Sequence, residues 1–75
     1  MNEEVEIKKV KKRHYVKDDP DLIVWEYNDQ KGNIYTSPPQ LDIKRAGHNE
    51  WEKCEHIMKK AFLRNIRIMG IIPKT

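Results

Sequence analysis

The chain has 75 residues, 37% of them hydrophobic and 36% charged, with a net charge of +3. That length holds one small domain and no second one, and apolar burial at ~25 cal/mol per Å² is nearly cancelled by ~1.5 kcal/mol of ordering entropy per residue. Most catalytic architectures and any membrane span are excluded, because the longest apolar cluster, 66–72, is broken by Arg67 and Gly70 and falls short of the ~20 residues a bilayer requires. One cysteine, Cys54, cannot form an internal disulfide, and the N-terminus has neither the basic start nor the apolar run of a signal peptide, so a cytoplasmic protein is expected.

Charge is unevenly spread. Residues 1–17 hold six basic and three acidic groups, residues 18–50 three and seven, and residues 51–75 six and two. Both ends are therefore basic and the middle is acidic.

In chain order, residues 5–17 set β-branched Val5, Ile7, Val10 and Val16 among long basic side chains, which predicts extended chain with a slip between Ile7 and Val10. Asp18-Asp19-Pro20-Asp21 is a turn signal, placing the end of this first strand near Lys17. Leu22 to Tyr27 is the strongest strand signal, and a Gly-containing turn joins it to Ile34-Tyr35-Thr36. A four-residue loop, Asp29 to Gly32, would set Tyr27 opposite Ile34 and Trp25 opposite Thr36. Ile23, Trp25, Tyr27 and Ile34 then form the core face, while Leu22, Val24, Glu26 and Tyr35 take the other. Ser37-Pro38-Pro39 ends the strand. Residues 40–48 fit either a short edge strand through Leu41 and Ile43 or one helical turn closed by Gly47.

From Asn49 a helix is predicted, with Asn49 as cap and Glu52 completing a capping box. Gly70 suits the left-handed position after its last turn, Ile71 can close back on Ile66, and Pro73 prevents continuation. At ~100° per residue, Trp51, Cys54, Ile57, Met58, Ala61, Phe62, Ile66 and Met69 fall on one half of this helix, leaving Leu63 outside the apolar arc and exposed. The expected architecture is α+β: a three-stranded antiparallel sheet, in β-β-β-α order, packed against one long C-terminal helix, in a single domain 1–75 with residues 1–4 and 73–75 frayed.

Several side-chain groups suggest binding. Lys53, Lys60, Arg64 and Arg67 share a stripe within ~60° on the helix opposite the predicted core face, and the run Lys8, Lys9, Lys11, Lys12, Arg13 is a second basic segment. Phosphates at ~3.4 Å intervals per strand suit such rows; a solvated helix face, or neutralisation of the run by Asp18, Asp19 and Asp21, accounts for the same charges without a ligand. Tyr35 is the aromatic that the hairpin register puts outside, where a base can stack. His14, His48, Cys54 and His56 lack the paired spacing of zinc ligands, with Cys54 and His56 ~160° apart around the helix, so no metal is expected. Cys54 on the core side makes a poor nucleophile. With no phosphate-cradling glycine loop, serine elbow or paired carboxylates, neither an enzyme nor a cofactor is expected.

Two functions follow as expectations. The first is a nucleic-acid-binding or transcription-associated module that contacts phosphates through both basic segments. The second is an interaction or inhibitor module, binding a larger protein or forming a homodimer through Leu63, Ile68, Ile71, Ile72 and an unpaired sheet edge.

Overall fold

The computed structural model describes residues 3–14 and 18–72. The elements are α1 (Glu3–Lys9), β1 (Lys11–His14), β2 (Leu22–Asn28), β3 (Ile34–Thr36), β4 (Gln40–Leu41) and α2 (Trp51–Ile68). The antiparallel sheet packed against a long C-terminal helix is the expected α+β arrangement, extended by a leading helix and a fourth, two-residue strand. The predicted strand end at Lys17 and the stop at Pro73 lie outside the described residues.

β2 is central because LIVWEYN is the longest β-branched and aromatic run in the chain. β1 pairs with one side of it, and β3 and then β4 with the other. Pro38 and Pro39, which interrupt that second side, have no N–H to give to the ladder. Ser37 closes the gap: its N–H donates to the Trp25 carbonyl (2.9 Å) and its hydroxyl oxygen accepts from the Trp25 N–H (2.9 Å). Residues 40–48 combine parts of both readings: β4 stops at Leu41, short of Ile43, and a non-helical turn over 43–47 follows, closing at Gly47 (φ +81°).

The first segment corrects the extended reading. Residues 3–9 are helical because a helix, and not a strand, puts Glu3, Glu6, Ile7 and Val10 on one side. Ile7 and Val10 enter the core, and Glu6 is 3% exposed. Arg67 of α2 donates to Glu6 Oε2 and to Glu3 Oε1 (3.2 Å). Three acids in the first turn and two lysines in the last also suit the helix dipole.

The hairpin register is one residue away from the predicted one. Tyr27 faces Tyr35, Glu26 faces Thr36 and Asn28 faces Ile34. The Gly32 N–H donates to the Asp29 carbonyl (3.2 Å) and the Asp29 N–H to the Asn33 carbonyl (3.0 Å), with Gly32 at φ +88°. This is a three-residue loop with a glycine bulge, and it moves every β3 side chain to the other face. Tyr35 therefore packs against the core and Ile34 is exposed.

α2 begins without the expected capping box: Glu50 precedes Trp51, and no side chain among the described residues caps the first turn. Instead, the Lys44 ammonium stands 4.6 Å from the Trp51 ring centroid, tying the preceding turn to the helix start. The C-terminus ends as predicted. The Gly70 N–H donates to the Arg67 carbonyl (3.0 Å) and the Ile71 N–H to the Ile66 carbonyl (2.9 Å), with Gly70 at φ +78°. This closure turns Ile72 back into the core.

The core joins Ile23, Trp25 and Tyr27 of β2 to Phe62, Leu63 and Ile66 of α2, with Ile7, Val10 and Ile72 at its edge. Leu63, expected outside, is 0% exposed, whereas Ile57 and Met69, expected inside, are 58% and 64% exposed. The buried face of α2 is turned about 90° around the helix from the one that apolar periodicity predicts. Docking of α1 explains the turn, because Arg67 must reach Glu3 and Glu6, and Leu63, one turn earlier on the same side, is carried inward with it.

Candidate interaction surface

Two sheet faces separate the N-terminal basic run. Lys12 lies opposite Trp25, on the side that faces α2, while Lys11 and Arg13 lie opposite Glu26 and Val24 on the far side. Lys12 reaches Asp42 (3.0 Å), which is 1% exposed, and Arg13 reaches Glu26 (2.9 Å). The neutralising acids are thus Asp42 and Glu26, rather than the aspartates of the 18–21 turn.

Asp42 serves three elements. Its Oδ1 accepts from Lys12 and from the backbone N–H groups of Lys44 (3.2 Å) and Arg45 (3.4 Å), starting the 43–47 turn as a side-chain cap. Burial acts to raise its pKa, but hydrogen bonds from Lys12 and from the Arg45 and Lys44 N–H groups, together with the Lys12 charge, bring it below the usual aspartate value. Beside it Trp25, fully buried, donates its indole N–H to Gln40 (3.0 Å) and carries the Lys59 ammonium 5.5 Å from its ring centroid. No sequence signal marks this cluster, because its members come from four elements.

On α2, the predicted stripe divides. Arg67 is half-buried and held by Glu3 and Glu6, so it is removed from any phosphate-binding row. Lys53, Lys60 and Arg64 are exposed and take no ion-pair partner among the described residues. They occupy ~40° of the helix circumference and ~16 Å of its length. Lys8, Lys9 and Lys11 are likewise exposed and unpaired among the described residues. Lys11 belongs to the sheet face away from α2, so the two basic segments do not form one surface. Tyr35 is half-buried, with its hydroxyl donating to Asp29 (3.3 Å), and lies on the core face instead of the outer face where stacking is predicted.

The apolar set expected at a protein contact also divides. Leu63 and Ile72 are buried and Ile71 packs on the core, whereas Ile68 is 70% exposed. Sequence reasoning missed Ile57 and Ala61. With Ile68 they fall within ~40° of one another on the line of α2 diametrically opposite its buried face. The i, i+4, i+11 spacing carries the signal, but apolar periodicity places Ile57 and Ala61 on the core half of the helix and only Ile68 outside it.

Among the described residues no helix is long and apolar enough to cross a membrane, and no cluster of His, Cys, Asp and Glu is arranged to hold a metal ion. No protein-family model, curated protein or solved structure is significantly similar to this chain.

Proposed function

We propose that the protein is a non-enzymatic interaction module whose α2 outer face docks an amphipathic helix of another protein, one with an acidic flank. The observation that carries this reading is the exposure of Ile57 and Ile68, 58% and 70%, beside the row of Lys53, Lys60 and Arg64, which has no ion-pair partner among the described residues. An apolar line on the most outward part of a helix costs solubility and gains nothing in the isolated fold, which favours a partner that covers it. The charges choose the partner. Glu52 and Glu55, the acids of α2, lie on the opposite half of the helix, so the α2 of a second copy, packed through the same face, brings no negative charge to the basic row. A helix with an apolar seam and glutamates along one side complements both features.

A second reading, phosphate binding, is supported by the same unpaired cations, but it leaves Ile57, Ala61 and Ile68 without a role. Both are tested with 25-residue helical peptides that share a leucine seam and carry Glu, Gln or Lys flanks, beside a DNA duplex. The Glu peptide is expected to bind about tenfold tighter than the Gln peptide, and Ile57→Ser to cost about 1–2 kcal/mol of that binding. A flat ranking across the flanks overturns the reading. So does duplex binding that falls with salt and ignores Ile57→Ser, an outcome that establishes phosphate contact instead.

A further inference from the structure

A groove of about 760 Å³ opens where the last turn of α1, the β2–β3 hairpin tip and the turn after α2 meet. Its acids are already engaged. Glu6 is paired with Arg67, and the two Asp29 oxygens accept from the Lys31 and Asn33 N–H groups, the Asn33 amide and the Tyr35 hydroxyl. Its donors are not. Tyr27, only 5% exposed, lines the groove, and its hydroxyl has no partner among the described residues. Burial first, and then the nearby Glu6 and Asp29 charges against the opposing Arg67, raise the Tyr27 pKa, so the hydroxyl stays protonated and able to donate at neutral pH. Lys9 and Lys31 also line the groove, and neither has an ion-pair partner among the described residues. The side chains of Tyr35 and Ile71 supply apolar surface.

We infer that this groove is a binding site for a small phosphorylated molecule with a flat ring, of which a nucleoside monophosphate is the simplest example. Uncommitted donors of positive or neutral type call for an acceptor-rich anion. Two separate ammoniums and a hydroxyl, with no free guanidinium to grip a planar carboxylate, suit the three oxygens of a phosphate. The volume lies within the ~300–1,000 Å³ typical of small-ligand sites. Asn28 and Gln30 at the hairpin tip have the paired donor and acceptor that a base edge offers in return.

The test is a two-dimensional amide NMR titration of the full chain with AMP, adenosine and inorganic phosphate in parallel. Saturable shifts are expected at Lys9, Tyr27, Lys31 and Ile71, with AMP binding about tenfold tighter than either fragment. Tyr27→Phe, which preserves the ring, should weaken AMP about fivefold and Lys31→Ala by a similar factor, while Arg64→Ala changes nothing. The inference is overturned if no groove amide saturates by about 5 mM AMP. It is equally overturned if the shifts run along Lys53 to Arg64 instead, or if Tyr27→Phe binds as the parent does.

Discussion

Two sets of cations, alike in composition, have opposite fates in this molecule. Lys12 and Arg67, both half-buried, are each pinned to a carboxylate that is almost wholly buried, Asp42 and Glu6 respectively. Lys53, Lys60 and Arg64 stand in water on the outside of α2. The difference is one of position relative to the core. A cation whose stem crosses the edge of the apolar cluster loses part of its hydration, so it is stable there only with a partner. A cation on the outermost line of a helix keeps its water and remains free for another molecule. Charge in the first set holds layers together, and charge in the second set is available for recognition.

Removing the acid of a pinned pair should give the largest effect. Asp42→Ala removes the partner of half-buried Lys12 and the cap of the 43–47 turn together, and is expected to cost about 3 kcal/mol in urea unfolding. A loss below about 0.5 kcal/mol would place Asp42 among the solvent-screened charges instead. A smaller effect comes from acid. Because the folded-state pKa of Asp42 lies below its unfolded value of about 3.9, its contribution is complete above that value and is lost as pH falls through the folded one. Comparing unfolding at about pH 7 and pH 3, Asp42→Asn should lose less stability between the two than the parent. If the two chains lose equally, another carboxylate governs the acid limb. The smallest effect is expected on the free set: Lys60→Ala with Arg64→Ala should shift stability by no more than about 0.5 kcal/mol. A larger loss would mean that these side chains pack on the fold.

Local signals carried much of the architecture. The β2 run, the turn with Gly32, the turn closed by Gly47 and the Gly70 termination each rest on residues within a few positions of one another, where backbone preference decides. The errors share a different origin. Val5, Ile7 and Val10 favour an extended chain locally, yet 3–9 is a helix because Arg67, 64 and 61 residues away, meets Glu3 and Glu6 only when they share a side. The hairpin slipped by one because the loop length depends on a glycine bulge that Asp29 stabilises through hydrogen bonds to Lys31, Asn33 and Tyr35. That single residue decided whether Tyr35 is a surface aromatic or part of the core.

The candidate sites were legible to different degrees for the same reason. Lys53, Lys60 and Arg64 could be found from helical spacing, since a helix fixes its own circumference. Which side of that circumference meets the sheet is set by the partners of the helix, and α1 turned it about 90° from the most apolar half. The exposed line Ile57, Ala61 and Ile68 and the buried Leu63 both follow from that rotation. The groove at Tyr27 was not visible at all, because its walls come from three elements distant in sequence.

By itself the sequence determined an antiparallel sheet centred on residues 22–28, a long C-terminal helix with a glycine stop, and an excess of cations at both ends, because each rests on short-range backbone preference or simple counting. Only the tertiary structure decided which cations are spent on buried acids, which face of α2 looks outward and where a groove opens. Those outcomes depend on desolvation and ion pairing between residues that meet only after the chain has folded.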